Sequence, residues 1–177
     1  MNLLLRLLRV LIATRFRGRI DVLEESVLNL VVWPTDLDLN LHMNNGRYLS
    51  VMDLGRVDHV ARTGLLRLIV RNRWQPVLGT ATIRYRRSLR LFQRYRLITR
   101  VVCWDEKWAY MEQRFERDGH LMAQAYVKAL FRTGRRTLRS REVLNALGRM
   151  QRSPAMPPVI EALRLAEGLT GEKPGRR

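Results

Sequence analysis

Cys103 is the only cysteine in these 177 residues. Its isolation excludes an internal disulfide framework and a cysteine-based zinc site, and makes a reducing compartment the natural expectation. Cys103 sits in the apolar run 97–104, which marks it as a small core residue rather than a nucleophile. Histidine is almost as scarce, with His42, His59 and His120 as the full set. No two of them have helical ligand spacing beside a carboxylate, so no metal and no other cofactor is expected. His59 and His120 read as packing or surface residues. Acid is also in short supply: 16 Asp and Glu stand against 33 Lys and Arg, a formal net charge of +17. Such a charge draws polyanions, whether acidic proteins, anionic lipid surfaces, phosphorylated cofactors or nucleic acid. Nucleic acid is the least expected of these, because no aromatic platform or recognition-helix pattern accompanies the charge.

Long hydrophobic runs are missing as well. A membrane span needs roughly 20 apolar residues, and the leucine-rich segment 1–19 is broken by Arg6 and Arg9. It also lacks the uninterrupted core and small-residue cleavage site of a signal peptide. On a helical wheel Asn2, Arg6 and Arg9 share one narrow face and the leucines cover the rest. The segment is therefore an amphipathic helix, suited either to an anionic membrane surface or to packing on the domain or a partner. The expected compartment is the cytoplasm, with a peripheral position on the inner membrane face if residues 1–19 touch lipid.

With 46% apolar residues, the chain reads as one domain (20–134) between an N-terminal segment (1–19) and a basic C-terminal extension (135–177). A first strand is expected over 20–33, ended by Trp33-Pro34. A polar loop follows over 34–43. Asn44 or Asn45 can cap a helix that runs to Thr63 and stops at Gly64. That helix is apolar on most sides (Tyr48, Leu49, Val51, Met52, Leu54, Val57, Val60, Ala61) and is expected to be buried. Gly55 within it implies close approach to a sheet. Residues 65–74 are helical or irregular. Strand patterns then cover 77–89, 95–104, 108–116 and 120–131, the last two joined at Asp118-Gly119, a strong hairpin signal. Beyond Gly134 come Arg135, Arg136, Arg139 and Arg141, a short helix over 140–150, a proline-rich linker over 153–158, a helix to Gly168 and a disordered end over 171–177. The class is α+β: a strand, a long buried helix, then an antiparallel meander.

The polar loop carries the chemistry. Between Asp36 and Tyr48 stand Asp36, Asp38, Asn40, His42, Asn44, Asn45 and Tyr48, at a strand-to-helix turn where unpaired N–H donors are on offer. Asp38 can act as a general base or as a nucleophilic carboxylate. The N–H groups near Asn44, Asn45 and Gly46, backed by the helix dipole, can stabilise an oxyanion. In an extended loop the spacing of two would point Asp38, Asn40 and His42 the same way. Asn40 could then hold a water or a carbonyl, and His42 could bond the carboxylate. Asp36 reads as structural, and Tyr48 as core or pocket wall. The plain alternative is that these acids and amides are turn formers and caps.

The pattern D-x-D-x-N-x-H-x-N-N-x-x-Y resembles the signature of hotdog-fold acyl thioesterases of the 4-hydroxybenzoyl-CoA thioesterase type. The likeness is strongest to thioesterase superfamily member-six type proteins. It extends through Tyr85-Arg-Arg-Ser-Leu-Arg-Leu and Trp104-Asp105. The resemblance implies a hotdog fold, an antiparallel sheet wrapped around a long central helix, and the element order reaches the same architecture without the motif. It implies hydrolysis of acyl-CoA or acyl-carrier-protein thioesters, with Asp38, Asn40 and His42 as the catalytic set. It further implies a homodimer or homotetramer with sites shared between protomers. Asn44, Asn45, Gly46, Tyr48, Arg86 and Arg87 would contact substrate, and Arg84 and Arg90 could join them at CoA phosphates or an acidic carrier. One departure stands out. Plant acyl-carrier-protein thioesterases carry an acid just after the Tyr-Arg-Arg motif, where this chain has Ser88-Leu89. A catalytically weak acyl-binding protein at a membrane surface is the alternative reading.

Overall fold

The computed structural model describes residues 3–170. The elements run α1 (Leu3–Thr14), β1 (Ser26–Val31), α2 (Asn45–Arg62), α3 (Leu65–Asn72), β2 (Gln75–Tyr85), β3 (Arg94–Trp104), β4 (Ala109–Arg117), β5 (His120–Thr133), β6 (Arg136–Thr137), α4 (Ser140–Ala146) and α5 (Pro158–Thr170). One antiparallel sheet has the order β1-β3-β4-β5-β2, with the short β6 beside β5. It curls around α2, which buries Tyr48, Val51, Met52 and Leu54 against Leu97, Val101, Phe115 and Val127. The expected disorder over 171–177 lies outside the described residues, as does Asn2.

Local chemistry explains the boundaries. Asn44 caps α2, its side-chain oxygen accepting the Gly46 N–H at 2.8 Å. Gly64 ends the helix with φ +87°, a conformation that costs glycine little. At the β4–β5 hairpin Asp118 and Gly119 have φ values of 50° and 75°, the two positive values a type I′ turn requires. β1 is shorter than expected. Residues 20–25 leave the strand path because Asp21 and Glu24 close a turn on each other's N–H groups, while Ile20 N–H bonds the Arg62 carbonyl. β2 stops at Tyr85 rather than continuing to 89, because the Arg86 and Arg87 N–H groups both turn onto the Met122 carbonyl. α2 is not buried all round: Leu49 and Asp53 face solvent.

Gly55 sits where the helix touches the sheet. A Cβ there would lie 2.9 Å from both Gln113 Nε2 and Leu97 Cδ2, and closer still to Thr99 Oγ1. Gln113, fully buried, donates from Nε2 to the Met52 carbonyl and to Thr99 Oγ1, both at 2.9 Å. Its Oε1 accepts from Arg56. This small polar knot sets the depth at which α2 lies on the sheet.

The remaining helices pack on the same body. Arg6 and Val10 of α1 are buried, so the helix packs on the domain, and the expected polar face is split: Arg6 points in and Arg9 lies at the surface. On the outer face of the sheet, Ile160 and Leu163 of α5 cover Cys103, Tyr110 and Trp108. Cys103 is buried, and burial pushes its thiol up to about 11. Ser153 in the proline-rich stretch accepts the Trp104 N–H at 2.8 Å, which ties the linker to β3. No helix among the described residues is long and apolar enough to cross a membrane.

Two outcomes follow. Gly55→Ala should gain up to about 1 kcal/mol of helix propensity yet lose about 1–3 kcal/mol to overpacking against Thr99 and Gln113. A lowered urea midpoint with unchanged slope is the expected net result, and a raised midpoint would show the approach to be slack. His59 is buried, and its burial pushes the imidazole pKa down to about 4. Between pH 6.5 and 4 the unfolded chain binds a proton that the folded chain refuses. Stability should therefore fall as pH drops through that window, by roughly 3 kcal/mol. His59→Gln should remove this difference in matched urea titrations.

Candidate functional site

Asp36 anchors the signature loop from below. It closes a single 3-10 turn, Pro34–Asp36, that follows Trp33. Its side chain is wholly buried. Oδ2 accepts the Trp33 N–H at 2.9 Å and Arg6 Nη2 of α1 at 2.5 Å. Arg47 Nε lies 2.9 Å from Oδ1, and the Asp36 carbonyl accepts the Asn44 N–H at 2.8 Å. One residue thus joins α1, the turn and the cap of α2. Arg6 places the rest of its guanidinium in the same buried space, near the unpaired hydroxyl of Tyr95.

The next residues form a tight turn rather than an extended run. Leu37 and Met43 pair as an antiparallel bridge. Asp38 N–H donates to the His42 carbonyl at 2.9 Å, and Leu41 N–H to the Asp38 carbonyl at 3.1 Å. Leu41 closes the turn with φ 58°, strained for a branched side chain. The side chains of Asp38, Asn40 and His42 are therefore arranged around a turn. Asp38 Oδ1 accepts the N–H of Asn40 at 2.9 Å and of His42 at 3.3 Å. These bonds fix the carboxylate and leave Oδ2 without a hydrogen bond among the described residues. Asp38 and His42 are half-buried and Asn40 is exposed.

At the start of α2 the three expected donors have different fates. The Asn44 N–H is taken by Asp36 and the Gly46 N–H by the cap. The backbone N–H of Asn45 is the one left unpaired among the described residues, at the positive end of the helix dipole. Tyr48 one turn on is core: it packs edge-on against Phe115 at 4.9 Å and Tyr85 at 5.2 Å. Burial raises the pKa of its phenol. Tyr85 donates its hydroxyl to the Asn45 carbonyl at 2.9 Å.

Residues 86–92 cross to the loop. Met43 N–H bonds the Leu89 carbonyl at 2.8 Å, and His42 bridges to Arg90. Leu89 is fully buried beneath Tyr48, while Arg84, Arg86, Arg87 and Arg90 are exposed. Leu39 and Leu41 on the loop and Leu91 and Phe92 on the crossing segment are all exposed, and the Phe92 ring meets Trp33 edge-on at 6.4 Å. Phe92, like Leu41, has a positive φ of 58°. The pairing of residues 42 and 90 was not readable from spacing, nor was the burial of Arg6. Arginine on an otherwise apolar helix was the available hint, since a buried cation requires a partner.

A curled antiparallel sheet around one central helix, with this loop at the helix start, is the hotdog architecture of thioesterases. A sequence profile of the thioesterase-like superfamily matches residues 32–163, and the chain belongs to that superfamily. It is 45% identical over 95 residues to Protein THEM6 of Xenopus laevis, covering 54% of this chain and 46% of that one. It is 25% identical over 119 residues to a probable thioesterase of Saccharomyces cerevisiae, covering 65% and 51%. The chain thus spans about half the length of these relatives. Among solved structures, the probable thioesterase YbaW of Escherichia coli superposes with a TM-score of 0.64 at 19% identity, over 68% of this chain and 94% of that one.

Arg6→Met should expose the worth of the buried pair. Removing one partner leaves a carboxylate in a dry site, a loss of about 3–5 kcal/mol that the surviving Arg47 contact would reduce. Chemical unfolding should show this loss, and added salt should change it little, because buried pairs are screened weakly. A variant as stable as the wild type would mean that Asp36 is held without α1.

Proposed function

We propose that this protein hydrolyses acyl thioesters of coenzyme A or acyl-carrier-protein to the free acid and thiol. The observation that carries the reading is the Asp38 carboxylate, pinned through one oxygen by the Asn40 and His42 N–H groups with the other oxygen spare, on the loop that leads into the start of α2. In one route Asp38 takes a proton from water as the water oxygen attacks the thioester carbon. In the other, Asp38 attacks that carbon itself, and water then cleaves the acyl-enzyme anhydride. In both, the carbonyl oxygen gains negative charge that the Asn45 N–H and the helix dipole can stabilise. The C–S bond then breaks and the thiolate leaves to be protonated. Asn40 orients the water or carbonyl, and His42 borders the carboxylate. Arg86 and Arg87, with Arg84 and Arg90 nearby, offer charge to CoA phosphates or an acidic carrier.

Assembly as a homodimer or homotetramer belongs to this reading. β2 is an edge strand, and Leu39 and Leu41 of the signature loop and Leu91 and Phe92 of the crossing segment stand uncovered. A partner protomer, an acyl chain or both would cover them. A second reading, acyl binding with slow turnover, draws on Ser88 and Leu89. With Leu89 buried and Asp36 locked in ion pairs, Asp38 has no second free acid in the signature loop.

Thiol release from a panel of acyl-CoAs, short to long and aromatic, decides between them. Asp38→Asn should lower kcat by about 100- to 10,000-fold, the range for a lost general base, while the thermal unfolding midpoint stays near that of the wild type. Arg86→Ala with Arg87→Ala should raise KM for CoA substrates and flatten its dependence on salt. Full activity in Asp38→Asn would sink the mechanism. Acyl-CoA binding without release in the wild type would favour the second reading.

A further inference from the structure

The outward side of α1 and the whole of α3 form a face that the site does not use. Arg6 and Val10 turn α1 inward, which leaves Leu5, Leu8 and Ile12 exposed along one stripe, with Phe16 86% exposed just beyond the helix end. α3 has no buried residue, and its Val70 is 72% exposed. The two helices line one groove, Leu8 and Ile12 on one side and Leu66 and Val70 on the other. Arginines rim it: Arg15 and Arg19 beside α1, Arg67 and Arg71 on α3. Residues 3–20 and 64–74 contain no acid at all. Arg9, Arg15, Arg19, Arg67, Arg71 and Arg73 are exposed and join no ion pair among the described residues.

We propose that this α1–α3 face docks on an anionic lipid bilayer. The leucine and phenylalanine stripe enters the boundary between headgroups and acyl chains, and the arginine rim meets lipid phosphates. Charge selects the occupant. A second copy in a two-fold contact would set the same arginines against themselves with no acid between them. An acidic protein would answer the arginines but not the apolar stripe. Only a surface that is anionic above and apolar just beneath satisfies both. Docking goes beyond the hydrolytic reading and does not depend on it.

Co-sedimentation with phosphatidylcholine vesicles, with and without phosphatidylglycerol, tests the proposal directly. Binding to the mixed vesicles, weak binding to phosphatidylcholine alone and release by salt are expected. Arg67→Glu with Arg71→Glu should weaken binding by at least about fivefold per arginine, since each basic residue near such a surface contributes ~1 kcal/mol. Leu8→Glu with Ile12→Glu should abolish it. These side chains are exposed, so circular dichroism and thiol release should match the wild type. Three results would overturn the proposal: no sedimentation with mixed vesicles, equal binding by all variants, or a change of oligomeric state in the variants by sedimentation velocity, which would assign the face to self-association. The comparison of the two vesicle types with wild-type protein holds even if a variant misfolds.

Discussion

The buried ion pair between Arg6 and Asp36 is the interaction on which the candidate site depends. A carboxylate with no solvent exposure must be paired and hydrogen-bonded, or the cost of its desolvation falls on the fold. Asp36 meets that demand with Arg6, Arg47 and the Trp33 N–H. Each partner comes from a different part of the chain, so satisfying one charge fixes three elements together. Buried pairs are poor sources of net stability, but they are strict about geometry. Two residues after Asp36, the turn that presents Asp38 inherits that strictness. Asp36 and Asp38 therefore divide the labour: one carboxylate is used up in holding the loop, and the other is held with one oxygen to spare.

A second constraint sets where the loop sits over the sheet. α2 approaches β3 and β4 so closely at Gly55 that Thr99 and Gln113 occupy the space of a side chain. Gln113 then bonds a carbonyl of the helix itself. Depth is fixed in the middle of α2, and rotation is fixed at its start by Tyr48 wedged between Tyr85 and Phe115. With both settled, the start of α2, where the Asn45 N–H is unpaired among the described residues, is held in a fixed position over the sheet. The loop and the segment that crosses to it also expose Leu39, Leu41, Leu91 and Phe92, two of them in strained backbone.

Much of this was legible in the sequence. The seven signature residues, the Asn44 cap, the Gly64 stop, the Asp118-Gly119 hairpin and the close approach at Gly55 each rest on local rules. What escaped was long-range. Arg6 looked like part of a solvent-facing stripe, because nothing in 1–19 announces a carboxylate thirty residues away. Residues 86–89, the start of the crossing onto the loop, looked like the end of a strand over 77–89, although the hydrogen bonds of β2 stop at Tyr85. The turn at Leu41 was read as extended because spacing by two is the strand rule, and a leucine in left-handed backbone breaks the expectation that glycine or asparagine would mark such a turn.

The basic charge falls into two groups. Arginines of 84–90 stand beside the loop, and those of α1 and α3 stand around an apolar groove elsewhere, so the net charge of +17 is organised into separate faces. The most direct test of the site is a crystal structure of Asp38→Asn with an uncleaved acyl-CoA bound. The thioester carbonyl should lie within hydrogen-bond distance of the Asn45 N–H, next to residue 38, with the CoA phosphates among Arg84, Arg86, Arg87 and Arg90. A thioester seated away from the start of α2 would contradict the assignment of this loop as the catalytic site.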